Sequence, residues 1–272
     1  MPMPIPPLTI DSGIAGKTAL VTGATGGIGI EIAKALARQG CRVMLTGLGT
    51  PEECEARRRD VEAVARASIG FHGADLADAQ ALRTLFEATE TQLGPVEILV
   101  NNAATRNFHL IDDMPDDAWQ RALDINLTAP FRLIKLALPG MRARKWGRII
   151  NIASSWGLTG TVGRGDYVSA KHGLVGLTRA VALEAMGDNI TCNSIAPGSV
   201  MTPHAERQVR ERMARDGLDW DEAARQFLKT RQPSGRFVPP EKIADLIVFL
   251  CSDAASEMTG QPIAMDGGWL SI

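Results

Sequence analysis

An excess of charge of either sign is missing from this 272-residue chain, in which 29 lysines and arginines face 31 aspartates and glutamates. Without a basic excess, we do not expect a nucleic-acid-binding face. No apolar run approaches the roughly 18–20 residues that span a bilayer. The first residues also lack the basic flank and apolar core of a secretory signal. We therefore expect no nucleic-acid partner, no membrane association and a cytoplasmic location.

Cysteine and histidine are scarce, with four of each in the whole sequence. They are scattered, and no Cys-x-x-Cys pair or metal-like spacing occurs. We therefore expect no metal site, and isolated, buried or idle thiols fit a reducing compartment. The residues concerned are Cys41, Cys54, Cys192, Cys251, His72, His109, His172 and His204.

Apolar runs alternate with helix-like segments along the chain. In the first helix, Ile28, Ile32 and Leu36 recur at helical spacing, and Gly40 marks its end. Several predicted strands are continuously apolar, as expected where helices cover both faces of a parallel sheet. The predicted strands are Thr18–Thr22, Arg42–Thr46, a short one before residue 75, 97–101, 148–153, 190–196 and Pro262–Met265.

The alternation of strands and helices predicts the fold class. Strand–helix–strand units build a parallel sheet, so we predict an α/β chain with a single-domain, Rossmann-type doubly wound parallel sheet and helices on both faces. In such a sheet, ligands bind beyond the carboxyl ends of the strands, where strand order reverses. The predicted helices are 28–39, one after residue 51, 78–93, a stretch from 115 to about 145 that breaks near Pro130, 166–186, two between 204 and 230, and 240–252.

A glycine-rich turn with the pattern T-G-x-x-x-G-x-G, residues 22–29, joins the first strand to the first helix. Its glycines allow a sharp turn and a close approach of the backbone to a pyrophosphate. The N-terminus of the helix favours the anion. Such a turn can also join a strand to a helix without a ligand, but its position near the N-terminus favours dinucleotide binding.

Tyr167 and Lys171 are four residues apart on a predicted helix and therefore share one face. Free tyrosine has a pKa near about 10 and is a poor base at neutral pH, but a nearby ammonium group lowers that pKa. Ser154 follows the 148–153 strand, and Asn126 lies in a helical stretch. A Tyr-x-x-x-Lys pair alone is commonly structural, whereas this combination predicts a proton-transfer site.

These stretches together resemble the short-chain dehydrogenase/reductase family. The glycine turn, the Asn-Asn-Ala-Ala stretch 101–104 and the ordered Asn126, Ser154, Tyr167 and Lys171 carry the resemblance, which covers about residues 14–270. Ala104 replaces a glycine of the family's pattern. The resemblance implies hydride transfer between NAD(P) and an alcohol or ketone. It also implies a homotetramer, with a dimer as the alternative, because the apolar 260–272 segment packs against a neighbouring subunit in the family.

The same resemblance assigns roles to the candidate catalytic residues. Tyr167 would take the alcohol proton, and Lys171 would supply the ammonium group and bind the ribose. Ser154 would hold the substrate oxygen, and Asn126 would anchor a water that links Lys171 to solvent. Such acid–base help is worth about 10²–10⁴-fold in rate.

Cofactor contacts are implied at the ends of several strands. Asp75 would bind the adenine ring, although it could equally be an N-cap for the helix that follows. The residues after the sixth strand would hold the nicotinamide carboxamide. The implied cofactor residues are Thr22, Gly23, Thr25, Gly27, Ile28, Gly29, Asp75, Leu76, Asn102, Ala103, Ala104, Tyr167, Lys171, Pro197, Gly198, Val200 and Thr202.

The choice between NAD and NADP depends on the end of the second strand. Enzymes of this kind often place an aspartate there for NAD or an arginine for the 2′-phosphate of NADP. Residues 46–49 contain neither, so a 2′-phosphate lacks an obvious cation and NAD is favoured. Arg57, Arg58 and Arg59 follow further on as a solvated helix face, unless one of them bends back toward the cofactor.

Residues 1–13, which include four prolines, are predicted to form a flexible tail. Residues 14–272 are then a single dinucleotide-binding catalytic domain. The polar segment at about 204–230 lies between two strands, and we predict that it forms a lid over the cofactor and substrate.

The substrate pocket is the part that departs from the family members this chain resembles most, the D-3-hydroxybutyrate dehydrogenases. Those enzymes grip a small carboxylate with Gln, His and Lys, whereas the matching positions here are Arg106, Trp156 and Arg164. Two arginines favour an anionic or strongly polar substrate other than 3-hydroxybutyrate. The alternative is that both point to solvent, and His204 either rims the pocket or lies in water. The implied substrate residues are Arg106, Ser154, Trp156, Arg164, Tyr167, Ser199, Gln208 and Trp269.

The sequence thus favours an NAD-dependent dehydrogenase of a secondary alcohol with a polar or acidic group. The main alternative is an NADPH-dependent ketone reductase of the 3-oxoacyl-carrier or carbonyl type. A non-enzymatic NAD-binding protein and an epimerase with a permanently held cofactor are further alternatives. The sequence does not identify the substrate, the stereochemistry or the physiological direction.

Overall fold

The computed structural model describes residues 12–271. Its strands are β1 Thr18–Thr22, β2 Arg42–Thr46, β3 Ile69–Phe71, β4 Val96–Asn101, β5 Gly147–Ile152, β6 Ile190–Pro197 and β7 Pro262–Met265. Within residues 12–271, these seven strands form one parallel sheet in the order β3-β2-β1-β4-β5-β6-β7. The chain winds outward from β1 to β3 and returns to β4 beside β1. Strand order therefore reverses between β1 and β4, where such sheets bind ligands.

Helices cover both faces of the sheet. They are α1 Gly27–Arg38, α2 Pro51–Glu62, α3 Ala79–Leu93, α4 Asp116–Leu123, α5 Ala129–Arg144, α6 Gly165–Ala185, α7 Pro203–Asp216, α8 Trp220–Leu228 and α9 Pro240–Cys251. Every residue of β1, β4, β5 and β6 is buried. One apolar core includes Ile32 of α1 and Ile247 of α9, and the other includes Leu82 of α3 and Leu133 of α5. The predicted doubly wound α/β fold is confirmed.

The predicted break near Pro130 takes a different form. A π-helical turn, Asp124–Thr128, joins α4 directly to α5, and Asn126 lies inside it. Ala129 donates its N–H to the carbonyl of Asp124, five residues earlier. Since Pro130 has no N–H to donate, the helix can widen at this point and then continue. The hydrogen-bond spacing therefore changes locally from four residues to five, and the helix does not end.

The described chain begins slightly before the predicted domain boundary. Residues 1–11, most of the predicted tail, lie outside the described residues. Ser12 is buried, and its hydroxyl donates to Gln39 at 2.9 Å, which fixes it to the end of α1. The predicted lid segment forms α7 and α8, between β6 and α9. None of the described helices is long and apolar enough to cross a membrane.

Candidate active site

The glycine turn forms a tight cradle at the carboxyl end of β1. Gly23 has a φ of 64°, and a Cβ on it would lie 2.8 Å from the Cα of Ala103. A Cβ on Gly29 would lie only 2.1 Å from the carbonyl oxygen of Gly23. Both positions therefore require glycine. Any side chain there would fill the space in which backbone N–H groups at the start of α1 can face a pyrophosphate, so the cradle fits a dinucleotide.

The ends of β1 and β4 are tied together beside this cradle. The Thr22 hydroxyl accepts the N–H groups of Asn102 and Ala103 at 2.9 and 3.1 Å. The Asn102 amide donates to the carbonyls of Thr22 and Gly23 at 2.9 and 3.1 Å. The side chains of two predicted cofactor residues thus hold the loop itself in shape, and Ala104 follows as an exposed residue.

A cavity of about 550 Å³ opens beyond the carboxyl end of β2. Its lining includes Gly47, Asp75 and Arg58, so the arginine that bends back from the α2 face is Arg58. Asp75 accepts the N–H of Ala77 at 3.0 Å and faces Arg121 at 3.4 Å. The N-cap alternative for Asp75 is wrong, because the side chain that caps α3 is that of Asp78. Asp75 lines the cavity, and its contact with an adenine ring stays a prediction.

The Arg58 guanidinium is already paired with two carboxylates. It contacts Glu55 at 2.8 Å and Glu62 at 2.9 Å. Hydrogen bonds from Arg58 and Arg59 lower the pKa of Glu55 to about 2, so Glu55, which also lines the cavity, is ionised at neutral pH. The charge of Arg58 is thus largely compensated within the chain.

The other predicted cofactor residues lie at the start of α1, after β3 and at or after the end of β6. Thr25 approaches the end of β2, because a Cβ on Gly47 would lie 2.7 Å from its hydroxyl. The Thr202 side chain, which caps α7, comes within 3.5 Å of a Cβ placed on Gly27. Gly198 follows β6 and is packed so closely against Gln232 and Asp266 that a Cβ there would clash at 2.7 and 2.8 Å. Ile28 and Leu76 are partly buried in the two cores, Pro197 ends β6, and Val200 is buried.

Tyr167 and Lys171 lie one turn apart on α6 and are 2% and 1% exposed. The Lys171 Nζ lies 5.6 Å from the centre of the tyrosine ring and donates to the carbonyl of Ile152 at 2.6 Å. Ser154 follows β5, where its hydroxyl accepts the N–H of Trp156 at 3.2 Å, and it contributes to lowering the pKa of Tyr167. The structure thus brings Ser154, Tyr167 and Lys171 together as predicted.

The electrostatic environment favours the ionised phenol. Burial alone raises the pKa of Tyr167, but the cations of Arg106 and Lys171 and hydrogen bonds from Ser154 and Arg106 outweigh it, so the pKa lies below its ordinary value. Burial also lowers the pKa of Lys171, against the opposing effect of Tyr167. Arg106 is therefore a second cation at the phenol, which the sequence did not predict.

Asn126 lies in the π-helical turn and is fully buried. Its side-chain oxygen accepts the N–H of Thr105 at 2.9 Å, and its amide donates to the Thr105 carbonyl at 3.0 Å. The side chain therefore fixes the segment that carries Arg106. The water link to Lys171 stays a prediction, and each polar group of the Asn126 side chain already has one backbone partner.

Aromatic rings and arginines form the predicted substrate pocket. Trp156 stands edge-on to Tyr167, with ring centres 6.3 Å apart, and edge-on to Trp269 at 5.8 Å. The Arg164 guanidinium lies 5.9 Å from the Trp156 ring and donates to the Asn107 carbonyl at 2.8 Å. Arg164 is therefore half-buried against aromatic rings, whereas Arg106 lies 5.2 Å from the centre of the Tyr167 ring but remains exposed.

Arg231 is a pocket residue that the sequence did not single out. Its guanidinium lies 5.4 Å from the Trp156 ring and 5.8 Å from the Phe227 ring. No motif marks Arg231 in the sequence, where it directly follows the predicted lid segment at about 204–230. The neighbouring Gln232 accepts the N–H of Ser199 at 2.7 Å, so Ser199 is fixed to this loop through its backbone.

His204 lies in the first turn of α7, where its side chain is exposed and contacts Arg207 at 2.8 Å. Burial lowers the pKa of His204, and the charges of Arg207, Arg106 and Arg164 lower it further. Gln208 lies one turn further along α7 and therefore on the same face. The lid role of this segment stays a prediction.

Comparisons with known proteins agree with this geometry. A family model described as enoyl-(acyl carrier protein) reductase matches residues 23–270. D-beta-hydroxybutyrate dehydrogenase from Cupriavidus necator is 42% identical over 256 residues, covering 94% of this chain and 98% of that protein. The enzyme of the same name from Rhizobium meliloti is 37% identical over 253 residues, covering 93% and 98%.

A solved structure extends the similarity to three dimensions. L-Sorbose reductase from Gluconobacter frateurii, complexed with NADPH and L-sorbose, matches with a TM-score of 0.92 at 31% identity, covering 97% of this chain and 100% of that one. Because sequence and structure match these oxidoreductases over nearly their whole length, the chain belongs to the short-chain dehydrogenase/reductase family, whose members act on hydroxyl or ketone groups with a nicotinamide cofactor.

Proposed function

We propose that this protein is an NAD-dependent dehydrogenase that oxidises a secondary alcohol, or reduces the ketone, of a small polar or carboxylate-bearing substrate. One observation carries the proposal: a buried phenol, Tyr167, lies beside the cations of Arg106 and Lys171, which with Ser154 lower its pKa. A phenol whose pKa is lowered in this way is a better proton acceptor than free tyrosine. Tyr167 is also the only tyrosine in the sequence.

In the oxidative direction, Tyr167 accepts the proton of the substrate hydroxyl. Ser154, which acts on the same phenol, orients the substrate oxygen and stabilises the charge that develops on it. Lys171 favours the phenolate through its nearby ammonium group. When bound, the nicotinamide supplies the hydride acceptor. In the reductive direction, Tyr167 returns the proton to the carbonyl oxygen.

NAD is the proposed cofactor because the cavity beyond β2 offers no uncompensated cation within the described residues that line it. Arg58 is paired with Glu55 and Glu62, and the ionised Glu55 would repel a 2′-phosphate. We expect a higher kcat/KM with NAD than with NADP. Initial rates measured with each cofactor at equal substrate concentration test this expectation.

A second candidate is an NADPH-dependent ketone reductase. It is favoured by the presence of NADPH in the solved L-sorbose reductase and by the position of Arg58 in the cavity lining. This function would require Arg58 to leave its two carboxylates for the 2′-phosphate. A higher kcat/KM with NADPH than with NADH in ketone reduction would favour it.

The substitution Tyr167→Phe tests the proton-transfer role. It removes only the hydroxyl, so we expect kcat to fall by about 10²–10⁴-fold. NADH affinity and the unfolding temperature, measured on the same variant, control for damage to the cofactor site or the fold. Undiminished turnover by a variant that still binds NADH would contradict the proposed function.

We also propose a homotetramer. β7 lies at the edge of the sheet and is only partly buried, whereas the strands in the centre of the sheet are fully buried. An exposed edge strand is usually covered by another element or chain, which supports the prediction that this end of the chain packs against a neighbour. The molar mass in solution, measured by light scattering, tests it: a monomer would contradict the proposal.

A further inference from the structure

Three arginines converge on the aromatic wall of the substrate pocket. Arg106 lies 5.2 Å from the ring centre of Tyr167, and Arg164 and Arg231 lie 5.9 and 5.4 Å from that of Trp156. We call these three residues the arginine cluster. Its members come from three separate parts of the chain, so only the tertiary fold assembles it.

The cluster has no counter-charge of its own. Among residues 12–271, none of its three guanidinium groups forms an ion pair with a carboxylate. The nearby carboxylate of Asp166 is buried and already accepts the Asn107 amide at 2.8 Å and the Tyr167 N–H at 2.7 Å. Elsewhere this chain pairs arginines with acidic neighbours; examples are Arg58 with Glu55, Arg210 with Glu206, and Arg215 with Asp216.

Placing like charges together in a partly buried pocket is unfavourable. Burial and then the charge of Arg106 lower the pKa of Arg164, and Arg231 adds to this effect. Burial likewise lowers the pKa of Arg231. Charges that lose hydration without gaining a partner are costly. A bound anion would relieve that cost, so the arrangement is suited to a ligand with negative charge.

Two of the guanidinium groups are held in place before any ligand binds. Arg164 donates to the Asn107 carbonyl, and the N–H of His109 bonds the Gly163 carbonyl at 3.1 Å, which ties the two pocket loops together. Arg231 is held between the rings of Trp156 and Phe227. Preorganised donors lose little entropy when they bind an oxyanion.

The cluster offers two separate places for an oxyanion. Arg106 lies at the reacting end, with its guanidinium 5.2 Å from the centre of the Tyr167 ring, while Arg164 and Arg231 both lie near the ring of Trp156. A single carboxylate has two oxygens and is satisfied by one guanidinium. One such group would therefore leave the other end of the cluster without a partner.

We propose that the substrate is a dianion, a secondary alcohol or ketone with one oxyanion group bound by Arg106 near the reacting carbon and a second bound by Arg164 and Arg231 beside Trp156. This inference rests on the proposed dehydrogenase function for the position of the reacting carbon. The second oxyanion is a carboxylate or a phosphate, since a guanidinium binds both.

Binding of unreactive probes tests the proposal without turnover. Glutarate and butyrate differ by one carboxylate, and calorimetric titration of each into the full-length protein, with and without NAD, gives their affinities. We expect glutarate to bind roughly 10- to 100-fold more tightly, the range of one charge-assisted hydrogen-bonded contact. Raising the salt concentration should weaken glutarate binding more than butyrate binding. A third titration, with 4-phosphonobutyrate, tests phosphate as the second group, and tighter binding than glutarate would identify it.

Variants locate the effect in the cluster. Arg231→Gln should reduce the glutarate-to-butyrate preference at least tenfold, and Arg231→Lys, which keeps the charge, should retain part of it. The matched control is Arg225→Gln on the surface of α8, where Arg225 pairs with Glu222 at 2.9 Å; it should leave the preference unchanged. If Arg231→Gln does not fold, Arg231→Lys and the salt titration of the unaltered protein still show whether the cluster causes the preference for glutarate.

Turnover separates this inference from the proposed function. The kcat/KM for 3-hydroxyglutarate should exceed that for 3-hydroxybutyrate. Equal affinities for glutarate and butyrate, or a preference that Arg231→Gln leaves intact, would overturn the dianion proposal, and oxidation of 3-hydroxybutyrate would then leave the dehydrogenase function standing. A glutarate preference that depends on Arg231, in a protein that oxidises no alcohol, would support the anion site and overturn the proposed function.

Discussion

Adding a single methyl group at Gly29 should damage the cofactor cradle directly. Gly29 lies in the first turn of α1, directly behind the loop from β1. An alanine Cβ there would lie 2.1 Å from the Gly23 carbonyl oxygen and 2.6 Å from the Asn102 amide nitrogen. Neither neighbour can simply rotate away, because the first is backbone and the second is bonded to Thr22 and Gly23. The start of α1 must therefore move away from the loop.

The size of the effect follows from these contacts. Overpacking of this kind costs typically about 1–3 kcal/mol, and each hydrogen bond lost from Asn102 costs about 0.5–1.5 kcal/mol more. The better helix propensity of alanine offsets about 1 kcal/mol. We expect Gly29→Ala to destabilise the protein by about 1–3 kcal/mol, and about 1 kcal/mol lowers the unfolding temperature of a chain of this size by roughly 2–4 °C.

Cofactor binding should suffer as well. The N–H groups at the start of α1 would no longer point at the pyrophosphate, and the loss of one charge-assisted hydrogen bond, about 1.5–3 kcal/mol, weakens binding roughly 10- to 100-fold. Fluorescence titration with NADH measures the dissociation constant, and calorimetry measures the unfolding temperature. Gly26→Ala is the matched control, because a Cβ there meets nothing within 4 Å and the backbone is extended, with a φ of 177°.

The two glycine variants should therefore differ clearly in their affinity for NADH. Gly26→Ala should keep NADH affinity within about twofold, within the spread of a surface substitution, while Gly29→Ala loses it. Equal NADH affinity in Gly29→Ala and the unaltered protein would refute the claim that close packing of this turn builds the cofactor cradle. Equal losses in both variants would show that the loop fails for some reason other than the contact with Gly23.

Two further predictions concern the phenol and the junction of β1 with β4. Arg106→Gln removes a cation that lowers the pKa of Tyr167, so that pKa should rise and the acidic limb of the pH–rate profile for oxidation should move to higher pH. Because the chain has one tyrosine, the tyrosinate absorbance follows Tyr167 alone. An unchanged titration curve would contradict the prediction. Thr22→Val leaves the N–H groups of Asn102 and Ala103 without their acceptor and should lower the free energy of unfolding by about 2 kcal/mol, seen as a lower urea midpoint at constant slope. Thr46→Val, paired with Thr22 in the sheet and without a hydrogen-bond partner for its buried hydroxyl among the described residues, should be neutral or stabilising, and a similar loss in both variants would argue against the role of Thr22.

Local patterns in the sequence were sufficient for the fold and for the centre of the site. Helical spacing within α1 and continuous apolar runs such as β6 predicted their elements because burial on both faces of a sheet imposes that pattern. The four-residue spacing of Tyr167 and Lys171 placed both on one face of α6 for the same kind of local reason. The break predicted at Pro130 is not present, because a π-helical turn accommodates a residue without an N–H and the helix continues.

Roles that depend on distant partners were harder to predict. Nothing near Asn126 in the sequence shows that its amide is occupied by the Thr105 backbone. Similarly, Arg58 lines the cavity beyond β2, while its neighbours Arg57 and Arg59 are more exposed. A run of three arginines on one helix does not reveal which of them faces inward.

The sequence by itself determined the doubly wound sheet, the glycine turn and the Ser154–Tyr167–Lys171 order. Each depends on the spacing of residues a few positions apart, and local backbone geometry fixes where such residues lie relative to one another. Only the tertiary structure added Arg231 to the two pocket arginines that were predicted, Arg106 and Arg164. The three arginines come from segments far apart in the chain, and in the folded protein they lie near the rings of Tyr167 and Trp156. The electrostatic energy of a site depends on distances between charges, and those distances exist only once the chain has folded.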